Sequence, residues 1–317
     1  MTDDRGVDAA IDRFLSVAGD TVIDRAVVVE KLRSMAADSG MDVSVFLKML
    51  SAAFDPEVVR CMNAIRATAD YDIPESKAAC FLRFHAFITS PQPKYITAWR
   101  DDPSLEKRWY HSHVNGVLGD VRGALAAAHY HAGRLGALET SVAAILDTSS
   151  VREPLANATV AIGSTRKLDF EYQAFVLAYR RCLDYLALAL ACYFKIEASS
   201  FRTFPKSIAK TRMPKVAAAL TQAHMRHVTP LAFVLAEGRK SVRHRIAHYE
   251  FVSAGCINLS ARGFVLAGGG EEFSARAKTI GTALTDALSA RLSCLHACID
   301  DMIDSFISAA RESAALS

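Results

Sequence analysis

Paired cysteines are missing from this chain. Its seven (Cys61, Cys80, Cys182, Cys192, Cys256, Cys294 and Cys298) are odd in number and scattered, and no two form a CxxC pair. That excludes the stapled framework of a small secreted domain and a zinc knuckle. Long apolar runs are missing too, since the most apolar stretch, Leu183 to Phe194, is too short to cross a bilayer. The first residues, Met1-Thr2-Asp3-Asp4-Arg5, are acidic and lead into no apolar core, so the expectation is a cytoplasmic protein with reduced thiols and no membrane association. There is no phosphate loop, no dinucleotide fingerprint and no GxSxG elbow, and the run Gly268-Gly269-Gly270 lacks the Lys-Ser/Thr that a nucleotide-binding loop requires. No cofactor is expected.

What is present is a chain of 317 residues, 51% hydrophobic and 22% charged, long enough for two domains with real cores. Its formal charge of +3 hides an asymmetry. Between Thr165 and Arg262 sixteen Lys and Arg stand against six Asp and Glu, a local balance of +10 that leaves −7 for the rest. A basic region of this kind is the electrostatic footprint of nucleic-acid binding, and it equally suits an acidic partner or the chain's own acidic part.

Helical signals dominate. Asp20 can cap a helix running through Val22, Ala26, Val29 and Leu32 to Gly40, while Asp55-Pro56-Glu57 and Asp102-Pro103 each put proline at a first helical position behind an aspartate. Further helices are predicted from about Pro74 to Phe87 and from about Pro103 to Leu146, the second broken among Gly116, Gly119, Gly133 and Gly136. The segment Asp147 to Ser164 has no helical period and is the expected domain boundary, giving a helical domain of unknown role over 1–150 and a helical bundle over 151–317. The bundle opens with a helix from about Leu168 to Ile196 that is apolar nearly all round, so it should lie centrally. A helix from Lys215 to His227 comes next, then one near Pro230 interrupted at Glu237-Gly238-Arg239-Lys240, then the helix carrying Arg243-His244-Arg245-Ile246-Ala247-His248-Tyr249. Ile257-Asn258-Leu259 and Phe264-Val265-Leu266 suggest a short β-hairpin before a last long helix, about Glu271 to Ala310.

Two arginines and two histidines packed so closely make sense if an anion, such as a phosphodiester, sits among them. The pattern Arg243, polar His244, then His248 after four intervening residues, at the start of a late helix in a bundle, resembles the HEPN superfamily (higher eukaryotes and prokaryotes nucleotide-binding domains). The resemblance covers roughly residues 165 to 315. An Arg followed by His at an allowed spacing occurs five times in the chain, and it is the polar neighbour, the basic surround and the preceding apolar helix that single out the Arg243 copy. Tyr249 follows His248 directly, whereas HEPN toxins paired with nucleotidyltransferase antitoxins carry one residue between them.

The resemblance implies an all-α, dimeric, metal-independent endoribonuclease of toxin–antitoxin, phage-defence or stress-response type, with RNA as substrate and an antitoxin or regulatory protein as a further partner. In that scheme His248 is the general base, Arg243 stabilises the phosphorane and His244, or His248 of a second protomer, is the general acid, with Arg245, Tyr249, Arg239 and Lys240 binding substrate and Asp184 orienting the motif. A salt bridge from Asp184 to Arg180 or Arg181 is the alternative role for that carboxylate. A non-catalytic RNA- or nucleotide-binding domain, or a helical protein-interaction module, is the alternative function. Residues five apart on an α-helix lie about 140° apart around its axis, so Arg243 and His248 are expected to converge only in a loosened first turn, which Gly238 and a capping Ser241 allow. The pairs His111/His113 and His129/His131 are the competing metal site, although residues two apart point about 200° away from each other on a helix.

Overall fold

The computed structural model describes residues 40, 45–46, 49, 56–91, 93–105, 107–148, 160–161, 165–211, 213–249, 251–254, 256–260, 263–267 and 283–314. Most of the helix expected between Asp20 and Gly40, and the start of the one expected from Glu271, lie outside them. The chain divides into two compact units, Met1–Tyr71 and Asp72–Ser317. In the first, helix α1 (Pro56–Ala69) begins on the proline that Asp55 precedes.

Among its described residues the second unit is all-α apart from one small sheet. Its helices are α2 (Ala79–Thr89), α3 (Lys94–Asp101), α4 (Lys107–Asn115), α5 (Arg122–Thr148), α6 (Arg166–Cys192), α7 (Phe204–Ile208), α8 (Pro214–His227), α9 (Ala232–Leu235), α10 (Val242–His248) and α11 (Ala283–Ala314). The expected start at Asp102-Pro103 is displaced to Lys107. Asp102 instead accepts the Ser104 N–H at 2.8 Å, forming a local turn that competes with helix. The predicted glycine break is a π-helical turn at Gly116–Val121 between α4 and α5, while Gly133 and Gly136 stay helical.

The expected division at residue 150 falls inside the second unit and is corrected. Helix α5 packs along α6, and α4, α5 and α2 also meet α6 or α11, because the buried sides of all these helices close one core. Helix α6 is its axis: Phe175, Val176, Tyr179, Leu183, Leu186 and Leu190 are all buried, and each large apolar side chain so removed from water contributes roughly 1.5–3 kcal/mol. The hairpin forms between β2 (Cys256–Ser260) and β3 (Gly263–Ala267), antiparallel in the register Cys256↔Ala267 to Ser260↔Gly263. It gains a third strand, β1 (Val160–Ala161), from the segment expected to be irregular.

Among the described residues no helix is long and apolar enough to cross a membrane.

Candidate functional site

The motif helix α10 is positioned by its start and by its buried face. Gly238 takes a φ of +57°, a left-handed conformation that glycine adopts without a Cβ clash, and opens a 3-10 turn over Gly238–Lys240. Ser241 then becomes the N-cap, its Oγ accepting the His244 N–H at 3.3 Å as its spacing leads one to expect. The Arg245 N–H meets the Ser241 carbonyl at 3.1 Å, so the turn carrying Arg243 is closed, and the expected loosening is corrected. Val242 is buried and Ile246, one helical turn on, packs against the core, which leaves Arg243, His244 and His248 on the other side.

Arg243, His244 and His248 line one cavity of about 450 Å³. They need not share a narrow face, because His244 lies between the other two around the axis and the cavity spans that arc. The two imidazoles sit 4.7 Å apart, centroid to centroid, and the Tyr249 ring lies 5.2 Å from His244 and 6.3 Å from His248.

The opposite wall brings two cations that the motif alone did not reveal. Arg180, on α6, reaches the cavity with its Nε donating to Asp184 at 2.9 Å and its Nη1 donating to the Val234 carbonyl at 3.1 Å. The other Asp184 oxygen accepts the Phe201 N–H at 2.8 Å. Asp184 therefore forms the salt bridge to Arg180 that was the alternative role for it, and the Arg180 guanidinium reaches the cavity wall. Arg202 also lines the cavity and pairs with Glu237, the one carboxylate in the wall among the described residues. Among those same residues no carboxylate pairs with Arg243. Arg180 and Arg202 are each paired with a carboxylate, so Arg243 is the guanidinium of the wall without one among the described residues, and beside the two imidazoles it makes a concave surface suited to an anion.

The remaining candidates stand apart from this wall. Lys240 and Tyr249 are exposed and Arg245 is half-buried, and none of the three lines the cavity. The side chain of Arg239 lies outside what the structure describes. Arg180 had a local signal, its i,i+4 spacing from Asp184. Arg202 had none, because its contribution depends on how the connector after α6 folds back.

Of the competing histidines, His111 is exposed and the other three are otherwise engaged. His113 is sealed in the core with its Nδ1 donating to the Ala189 carbonyl at 2.7 Å; His129 and His296 approach at 2.7 Å between Nε2 atoms; His131 meets Glu171 at 2.7 Å. No three metal-ligating side chains come together among the described residues.

No protein-family model matches the chain, nor does any curated protein or solved structure. The chemistry of the cavity and the motif it carries are therefore the basis for a functional reading.

Proposed function

We propose that this protein is a HEPN-like endoribonuclease that cleaves single-stranded RNA without a metal ion, acting as a homodimer under the control of an antitoxin or other regulatory protein. The observation that carries the reading is the single cavity lined by Arg180, Arg202, Arg243, His244 and His248. A flexible single strand can bring its ribose 2′-oxygen in line with the phosphorus, which a duplex resists.

His248 takes the proton from the 2′-hydroxyl as the 2′-oxygen attacks phosphorus. The bond from phosphorus to the 5′-oxygen breaks, and protonated His244, or His248 of a second protomer, gives that oxygen its proton. Arg243 stabilises the charge that builds on the phosphorane oxygens, while Arg180 holds the phosphate in place. The products are a 2′,3′-cyclic phosphate and a 5′-hydroxyl. Both histidines return to their starting protonation states by exchange with water.

The test is incubation of labelled single-stranded RNA with the full chain in excess EDTA. Cleavage leaving cyclic phosphate ends, lost in Arg243→Ala and in His248→Ala, is the expected result. Equal cleavage by the variants overturns the assignment of these residues. Salt-sensitive RNA binding with no cleavage overturns the catalytic reading and leaves a binding domain.

A further inference from the structure

The segment that follows the motif helix is fastened to the start of α6. Buried Asp169 accepts the Ser253 hydroxyl at 2.7 Å and the Ala254 N–H at 2.8 Å, and one helical turn on, Gln173 Nε2 donates to the Val252 carbonyl at 3.0 Å. Bonds to a carboxylate are among the stronger ones, so this anchorage is firm. Val252 and Ala254 are buried by it, while Phe251, between the motif helix and the anchors, stays outside.

Three aromatic rings come to the surface here: Phe251 is 59% exposed, Phe170 on the first turn of α6 is 58% exposed and Tyr249 at the end of α10 is 54% exposed. The Phe170 and Phe251 rings meet edge to face, 6.1 Å apart between centroids and at 90° between planes, so each keeps at least one face that its partner does not cover. The Tyr249 ring stands 5.2 Å from that of His244. Phe251 is two residues further on, at most about 7.6 Å away from Cα to Cα. The rings therefore lead from the edge of the cationic cavity onto the face of α6. Exposure forfeits the stabilisation that burying such rings contributes, and apolar side chains gathered at a surface mark a place of interaction.

We infer that Phe170, Tyr249 and Phe251 form a base-stacking platform: a single RNA strand with a phosphate against Arg243 and the two imidazoles continues over Tyr249 and stacks its next bases on the Phe170–Phe251 pair. The inference rests on the RNA reading above and adds to it the path of the strand outside the cavity. What the platform adjoins selects the occupant. Arg243 has no carboxylate partner among the described residues, and the stretch from Thr165 to Arg262 carries a balance of +10. A polymer that alternates phosphates with flat rings matches the cationic wall and the aromatic surface together. Every base has a π face, so the platform adds affinity with little sequence preference.

The test is fluorescence anisotropy of the full chain at low salt with two 2′-O-methyl strands of equal length and charge, one of adenosine and one abasic throughout, neither of which can be cleaved. The adenosine strand is expected to bind about tenfold tighter than the abasic one. Phe170→Leu and Phe251→Leu keep apolar surface and remove the aromatic face, at positions outside the catalytic wall. Each is expected to weaken the adenosine strand about fivefold and to leave the abasic strand within about twofold, with salt-sensitive affinity intact. Far-ultraviolet circular dichroism reports on the fold of the variants and sedimentation velocity on their association. Equal binding of the two strands, adenosine affinity that survives both substitutions, or substitutions that weaken both strands alike overturn the platform and leave the RNA reading standing. So does a change of association state without a change in RNA affinity, which gives the patch to a second copy of the chain. Absence of binding by either strand at low salt overturns the RNA reading and the platform together.

Discussion

His113 lies in an aromatic cage, its ring 5.2 Å from Phe84, 5.8 Å from Trp99 and 5.0 Å from Phe306, centroid to centroid. Burial pushes its pKa from the ordinary 6.5 down to about 4, and burial likewise pushes His296 down to about 4. The unfolded chain takes up protons on these rings near pH 6.5 while the folded chain resists until about pH 4. In that window the unfolded state binds more protons, so stability is full above pH 6.5 and falls as the pH drops. Each ring is expected to remove roughly 2 kcal/mol between pH 7 and pH 5. Urea unfolding across that range measures it. His113→Phe should flatten the profile, and a wild-type midpoint that does not move between pH 7 and pH 5 would contradict the burial argument. At this same scale, Asp184 was identifiable in the sequence as a carboxylate needing a partner on an apolar helix, and Arg180 at i−4 supplies it. The value of the pair to the site was not legible, since only the fold shows that Arg180 meets the motif helix from across a cavity.

Gly116 sits in the π-turn between α4 and α5 where that turn crosses α6. A Cβ there would meet the Ala189 Cβ at 2.7 Å, whereas one at Gly133 would meet nothing within 4 Å. Gly116→Ala is expected to destabilise the protein by about 1–3 kcal/mol through overpacking, and Gly133→Ala to stabilise it by about 0.5–1 kcal/mol through helix propensity. Thermal unfolding of the two variants decides it; a shift of the same sign for both would refute the close approach. Helices such as α1, α6 and α8 were readable from proline starts and apolar spacing, because those signals are local. The start of α11 is secured differently. The Glu139 carboxylate on α5 accepts the Leu284 and Thr285 N–H groups at 2.9 and 2.8 Å and the Thr285 hydroxyl at 2.6 Å. A cap drawn from 145 residues away leaves no mark in the neighbouring sequence. The turn at Asp102 misled for a related reason: an aspartate and a proline that can start a helix can also close a turn, and the residues after them decide between the two.

The whole molecule divides at Tyr71–Asp72, away from the aperiodic stretch at 147–164 that read as a linker. Composition marked an irregular connection there, but α5 before it and α6 after it bury each other, and that pairing is invisible until both helices are placed. A chain of residues 72–317 is therefore expected to fold and unfold in one cooperative transition. A chain of residues 151–317 lacks α2, α4 and α5, leaves α6 exposed, and should show no such transition in circular dichroism melts. A cooperative melt for the shorter chain would contradict the single core of the second unit. The charge asymmetry legible in the sequence has its structural counterpart in the cavity, where among the described residues Arg180 and Arg202 are paired with Asp184 and Glu237 and Arg243 has no carboxylate partner. On the proposed function, Arg243, His244 and His248 act on one phosphodiester, and a titration of the full chain with a 2′-O-methyl RNA, followed through the imidazole NMR resonances, tests this most directly. The resonances of His244 and His248 are expected to shift together and saturate at one RNA concentration, with Arg243→Ala weakening that binding about tenfold or more. Resonances of the two histidines that stay in place while RNA binds, or that respond at different concentrations, would contradict it.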